Sequence, residues 1–416
     1  MDFFVGWTSK KNKVFWSPNR TPNPHLVICG ASGTGKTFTI KRIINSLDKN
    51  KISYTVIDKH GDIDVQNLTE HVFVNNCEKG INPLAVLDTD GGGIKPSILS
   101  FISLLNELNA KHRMGHEQEN MLYHAIEEMY YKNKITDANY KDVAEFPDMF
   151  DLIRFLNYKY RKTLIGEIDS KEVESLMTLY KEKKRLLRLE KERGKAENTK
   201  AEEQKNKIEE KIEAQKKILC DKYKEYLDRG IINDKDFLVY NNPRTLLGLI
   251  NRLNNVNKSG VFLKKEVTLF NSRINIKYLD DEQKKLVTYC VLSRLFNYFT
   301  MQQITDSVKH FIIIDEASFY FDIPKITNLI INIVQEGRKF GLGVILSTQN
   351  PLHFHTDILL NSATKMIFSI DPIIYKNVSK NFGIEEKYLK FLKPRQNLLY
   401  SAKNINNGLF YMLTRS

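Results

Sequence analysis

The octapeptide GASGTGKT, residues 30–37, has the residue types and spacing that point most directly to chemistry. It follows the apolar run HLVICG and precedes a stretch with helical periodicity, so its backbone N–H groups would surround the N-terminus of a helix. Such a loop binds phosphate, and the full GxxxxGK[ST] spacing is that of a nucleotide-binding P-loop. The predicted phosphate-binding residues are Gly30, Ser32, Gly33, Thr34, Gly35, Lys36 and Thr37.

Within this loop, Lys36 is expected to reach the β- and γ-phosphates and Thr37 to be a ligand of Mg²⁺. The predicted ligands are therefore ATP and Mg²⁺. A glycine-rich turn without nucleotide is the alternative, and the flanking strand and helix patterns disfavour it.

A second group of candidate residues ends the run FIIIDEAS, residues 311–318. Parallel sheets place their ligand crevice at the carboxyl ends of the strands, and consecutive side chains on a strand point to opposite faces. We therefore expect Asp315 to orient the Mg²⁺ shell and Glu316 to polarise the attacking water. A strand that ends in two acids is usually a strand meeting a solvated loop, but a P-loop in the same chain favours the catalytic interpretation.

The stretch EGRKFGLGVILSTQNP, residues 336–351, supplies a third part. Its apolar strand ends in polar groups, and Gln349 is predicted to sense the γ-phosphate and orient water. Arg338 is either an arginine finger that reaches the nucleotide of a neighbouring subunit or a cation at the end of a helix, and Arg395 is the other finger candidate. In VIDKHGD, Asp58 is predicted to make a strand-end turn, with support of the magnesium shell as the alternative.

The order of apolar runs predicts an α/β fold of the P-loop NTPase (RecA-like, ASCE) type, with a parallel sheet flanked by helices. Strands are expected at HLVICG, SYTVID, HVFV (71–74), VTLF (267–270), INIKYL (274–279), HFIIID, GVILST and three C-terminal runs, and a helix at 326–340. Helical spacing dominates in between. The predicted divisions are residues 1–95 and 262–416 for the two parts of the ATPase domain, and 96–261 for a helical insertion with an antiparallel coiled-coil hairpin at about 171–227.

Composition narrows the class of protein. The 416 residues are 42% hydrophobic and carry a net charge of +13, which favours a polyanionic partner such as nucleic acid, although a lysine-rich composition that only aids solubility is the alternative. The four cysteines have no CxxC spacing, which argues against a zinc site or a disulfide framework. With no secretory signal and no apolar run of membrane-spanning length, a cytoplasmic location is expected.

Together, GASGTGKT, VIDKHGD, IIIDEAS and EGRKFGLGVILSTQNP resemble the HerA/FtsK superfamily of hexameric DNA-pumping ATPases. INPL at residue 81 and GHEQENMLYHAIEEMYY are similar to the branch that contains the ATPases of conjugative type IV secretion. The resemblance implies a ring, most simply a homo-hexamer, that translocates double-stranded DNA. Alternatives are a secretion component that acts on protein, and a nucleotide-gated partner of a nuclease or defence complex; the helical insertion would then dock the partner.

Overall fold

The computed structural model describes residues 2–66, 68–88, 92–165, 170–196, 202–229, 239–403 and 409–414. Its described strands form one sheet of eleven. They are β1 Phe3–Trp7, β2 Lys13–Trp16, β3 Leu26–Cys29, β4 Ser53–Asp58, β5 Thr69–Val72, β6 Ser272–Asn275, β7 Thr305–Ile314, β8 Phe340–Thr348, β9 Thr364–Ile367, β10 Asn397–Ala402 and β11 Tyr411–Thr414.

The sheet order is β2-β1-β11-β10-β9-β3-β8-β7-β4-β6-β5. All pairs from β9 through β3 to β5 are parallel, whereas the pairs among β9, β10, β11, β1 and β2 are antiparallel. The mixed α/β fold with a mostly parallel sheet confirms the predicted fold class. Because β3, β8, β7 and β4 are parallel, their carboxyl ends share one edge of the sheet.

The central strands are continuous apolar runs because both of their faces are buried. Every residue of β3 is buried, as are eight of the nine residues of β8. Gly343 of β8 shows how closely they pack, since a Cβ there would lie 2.3 Å from the Phe311 ring of the neighbouring β7. This packing holds the strand ends, and the side chains that follow them, in fixed positions.

Twelve α-helices are described. They are α1 Lys36–Lys49, α2 Ile94–Leu108, α3 His116–Lys132, α4 Met149–Ile165, α5 Ser170–Ala196, α6 Glu202–Arg229, α7 Pro243–Val256, α8 Asp281–Thr300, α9 Pro324–Glu336, α10 Thr356–Leu360, α11 Tyr375–Phe382 and α12 Glu386–Lys390. None of these described helices has both the length and the apolarity that a membrane crossing requires.

Two compact units divide the chain: one contains Met1–Met114, Ile126–Asp151 and Asn254–Ser416, and the other contains Gly115–Ala125 and Leu152–Leu253. Within the described part of residues 96–261 there are helices and no strand. In the second unit, Gln215 of α6 donates a 2.6 Å hydrogen bond to Glu182 of α5. Residues 197–201, which include part of the predicted hairpin turn, lie outside the described residues, and both the coiled coil and the predicted domain boundaries stay predictions.

Four expectations about elements are corrected. VTLF (267–270) is not a strand: Val267 donates to Gly80 O beside an isolated bridge, and Phe270 packs on Tyr298 and Phe299 of α8, so its apolarity reflects packing rather than a ladder. The predicted strands at 71–74 and 274–279 instead span 69–72 and 272–275. The helix predicted to reach residue 340 ends at Glu336 in a short 3-10 turn, because β8 begins at residue 340.

Candidate nucleotide-binding site

The loop between β3 and α1 carries the GASGTGKT motif at the carboxyl edge of the sheet. Gly35 is the N-cap of α1 at φ 110°, a conformation that favours glycine. Thr34 is buried and its Oγ1 donates a 2.7 Å hydrogen bond to Ala31 O, which closes the loop on itself. The sequence therefore places a curved backbone at the N-terminus of a 14-residue helix, the arrangement that binds phosphate.

A cavity of about 720 Å³ lies over this loop. It brings together residues from the P-loop, from the ends of β7 and β8, from the turn after β4 and from the segment before β10. Its lining residues are Ser32, Gly33, Gly35, Lys36, Thr37, Phe38, His60, Asp62, Asp315, Glu316, Gln349 and Arg395. Of the predicted phosphate-binding residues, Gly30 and Thr34 do not line the cavity.

Lys36 is buried, and its Nζ donates to the loop carbonyls of Gly30 at 2.7 Å and Ala31 at 3.1 Å. Burial lowers the pKa of Lys36, and the carboxylates of Glu316 and Asp315 partly oppose that effect. The ammonium group thus lies between the glycine-rich loop and the acidic side chains, where it can reach a bound phosphate.

Asp315 and Glu316 follow β7 directly. Asp315 is 3% exposed and accepts a 2.5 Å hydrogen bond from Ser347 Oγ. Burial raises the pKa of Asp315 and the Ser347 bond opposes the rise, while the carboxylates of Glu316, Asp62 and Asp58 add to it. Several acidic groups close to one buried carboxyl make a site that a cation would stabilise.

Three aspartates form a candidate cation site. Asp58, Asp62 and Asp315 each have a carboxylate oxygen within 4.8 Å of the others. Asp58, however, is fully engaged: it accepts backbone N–H bonds of 2.7–3.1 Å from His60, Gly61 and Ile63, and pairs with Arg273 Nε at 2.9 Å.

Asp58 therefore makes a turn, as its strand-end position predicts. Asp315, Asp62 and the Thr37 hydroxyl remain as hard oxygen donors of the kind Mg²⁺ prefers, so the residues present fit that ion. Asp62 was not among the predicted site residues, although its place as the acidic end of VIDKHGD was visible in the sequence.

Gln349 follows β8 and lines the cavity beside Glu316. Its Nε2 donates a 2.8 Å hydrogen bond to Glu316 Oε1, and Glu316 itself has a left-handed backbone at φ 51°. A left-handed conformation is uncommon for a residue with a Cβ and is often found at functional sites. The polar end of the buried strand thus contacts the predicted catalytic carboxylate.

The two arginine candidates lie in different places. Arg338 is exposed at the N-terminal end of β8, so the nine-residue strand, about 26 Å long, separates it from its own cavity. Its charge acts instead on His25: burial, together with Arg338, lowers the pKa of His25 to about 3. Arg395 lines the cavity, and its Nε donates a 3.1 Å hydrogen bond to Gly33 O.

Comparisons with solved structures identify similar folds. The structure of VirB4 of Thermoanaerobacter pseudethanolicus is 14% identical in sequence to this chain, with a TM-score of 0.68. The alignment covers 100% of this chain and 96% of that chain. The bacterial conjugative coupling protein TrwBdeltaN70 is 9% identical with a TM-score of 0.50, and covers 96% and 86%. At these identities the likeness shows the fold alone.

No curated protein matches the sequence. A family model described as "Helicase HerA, central domain" matches residues 3–294, which is well over half of the chain and includes the P-loop. This match confirms the family that the motifs indicate. The chain is therefore a P-loop ATPase that belongs to the family of the HerA helicase central domain.

Proposed function

We propose that the chain is a motor that hydrolyses ATP, assembles as a ring, most simply a hexamer, and moves double-stranded DNA in the cytoplasm. The observation that carries this proposal is the convergence of Lys36, Asp315, Glu316 and Gln349 on one cavity at the carboxyl edge of the sheet. Family membership and the net charge of +13 support a polyanionic substrate.

In the hydrolysis step, Glu316 polarises the attacking water as general base, and Gln349 orients both the water and the Glu316 carboxylate that it already contacts. Lys36 stabilises the negative charge that develops on the phosphates. When bound, Mg²⁺ would neutralise the β- and γ-phosphate oxygens, held by Thr37 and Asp315 with Asp62 nearby.

The position of Arg338 is an argument for assembly into a ring. As an exposed cation far from its own cavity, it can act as an arginine finger only on the nucleotide of a neighbouring subunit. Mixing Arg338→Ala with Lys36→Ala subunits tests this, because a site formed by an intact Lys36 and a neighbour's intact Arg338 is complete. Random mixing at equal amounts should restore about a quarter of the sites. No gain over the separate variants would reject a finger that acts between subunits.

The substrate is tested by measuring ATP hydrolysis with and without duplex DNA, at several salt concentrations. A DNA motor predicts stimulation that weakens as salt rises, because displacement of counterions drives binding. Absence of both stimulation and DNA binding at moderate salt would reject the DNA motor. That result would favour one of two alternatives: a conjugative or secretion ATPase that acts on protein, or a nucleotide-gated partner of a nuclease or defence complex. The likeness to the conjugative coupling protein is the reason to test the first.

A further inference from the structure

The cavity extends to both sides of the P-loop strand. Asp315 and Glu316 follow β7, and Gln349 follows β8, so these groups lie to one side of β3 in the sheet order. Arg395 lies two residues before β10, a strand on the other side of β3, beyond β9. If the γ-phosphate lies beside the Asp315 and Glu316 carboxylates, the nucleoside of the same ligand extends toward the end of the cavity where Arg395 lies.

Arg395 is held at this opposite end by the P-loop itself. Its backbone N–H donates to Thr34 O at 3.2 Å and its Nε donates to Gly33 O at 3.1 Å. Its backbone has φ 63°, which is unfavourable for a residue with a side chain and persists only where the surroundings enforce it. Within the described part of the chain the guanidinium has no other hydrogen-bond or ion-pair partner, so its plane and remaining N–H groups are available to a ligand at the cavity.

Phe38 provides a second planar group. It directly follows Thr37 in the first turn of α1, lines the cavity and is 55% exposed. The Arg42 guanidinium lies 5.8 Å from the centroid of its ring. An aromatic ring that remains accessible beside a phosphate-binding loop is suited to stacking on a base.

We propose that Phe38 and Arg395 form the nucleoside end of the site and bind the base of the nucleoside triphosphate by its faces. This inference rests on the proposed function, because the triphosphate must first occupy the P-loop. Recognition by stacking tolerates different bases, since every base has a π face. The chain is therefore expected to bind ATP and GTP with affinities within about tenfold of each other.

The test compares calorimetric binding of ATP and of inorganic tripolyphosphate, each with Mg²⁺, to the full chain. Phe38→Ala and Arg395→Ala should each weaken ATP binding about tenfold while tripolyphosphate binding is unchanged, because only ATP carries a base. Arg395→Gly, which accommodates the positive φ, should match Arg395→Ala. Lys393→Ala removes an exposed cation of the same turn that does not line the cavity, and should leave both affinities unchanged.

Retained tripolyphosphate binding also shows that each variant is folded. Equal loss for both ligands would mean that these residues serve the phosphates, and no loss for either would mean that they do not contact the nucleotide; each result overturns the inference. The proposed function fails separately, if the unsubstituted chain does not bind ATP or if Lys36→Ala binds it equally well.

Discussion

The turn that Asp58 makes after β4 should contribute strongly to stability, and Asp58→Ala tests this. Asp58 is fully buried and Arg273 is 7% exposed, so their 2.9 Å ion pair is screened little by water. Removal of one partner of a buried pair typically costs 3–5 kcal/mol. Arg273 keeps a second contact, 3.4 Å from the half-exposed Glu70, so a loss of about 3 kcal/mol in the free energy of unfolding is expected.

The assay is urea unfolding followed by tryptophan fluorescence. Trp16 is fully buried in the core cluster that also contains Val56 of β4, so its emission reports on this part of the sheet. Asp64→Ala, which removes an exposed acid from the same loop, is the matched control and should not change the urea midpoint.

Replacement of both partners, Asp58→Ala with Arg273→Met, should recover only the part of the loss that comes from the uncompensated Arg273 charge, because the backbone N–H groups of His60, Gly61 and Ile63 still lack their acceptor. If Asp58→Ala lowers the midpoint no more than Asp64→Ala does, the buried turn does not have the role assigned to it.

Three further predictions concern the site and the core. Gln349→Ala should keep ATP binding but lower turnover about 100-fold, since it removes a positioned group that holds Glu316; unchanged turnover in a steady-state assay would contradict this. Burial lowers the pKa of His310 to about 3, so the unfolded chain binds a proton near pH 6.5 that the folded chain does not, and stability falls as the pH drops below about 6.5. His310→Gln should reduce that slope by about 1 kcal/mol per pH unit on average in urea titrations from pH 7 to 5, because the limiting value of about 1.4 kcal/mol per unit is approached only well below pH 6.5. An unchanged slope would show that another group binds the proton. Gly343→Ala should destabilise the sheet by about 1–3 kcal/mol because its Cβ would overlap the Phe311 ring, and a thermal midpoint equal to that of the unsubstituted chain would show that the strands can move apart.

The sequence was sufficient for the parts of the fold that rest on local signals. The P-loop, the acidic end of β7 and the polar end of β8 each follow a continuous apolar run, and parallel pairing then requires them to share an edge. The Gln349 contact with Glu316 requires in addition that β7 and β8 are neighbours, and local signals do not specify that strand order.

Other features depend on distant parts of the chain and gave no local signal. The N-terminal hairpin of β1 and β2 joins the sheet through β11, so Trp7 pairs with Thr414 about 400 residues away. Arg395 was predicted as an alternative arginine finger, but its contact with Gly33 of the P-loop depends on where β10 lies. VTLF was wrongly predicted as a strand because its local signal is strand-like, whereas in the structure its apolar residues pack against a helix without forming a strand ladder.

The most direct test of the central claim is a paired measurement of nucleotide binding and hydrolysis on Glu316→Gln and Lys36→Ala. Glu316→Gln keeps the shape of the side chain but removes the base, so ATP binding should be retained while turnover falls by about 100-fold or more. Lys36→Ala should lose both, because the phosphate contact is lost. Full hydrolysis by Glu316→Gln, or ATP binding by Lys36→Ala equal to that of the unsubstituted chain, would contradict the assignment of this cavity as the ATPase site.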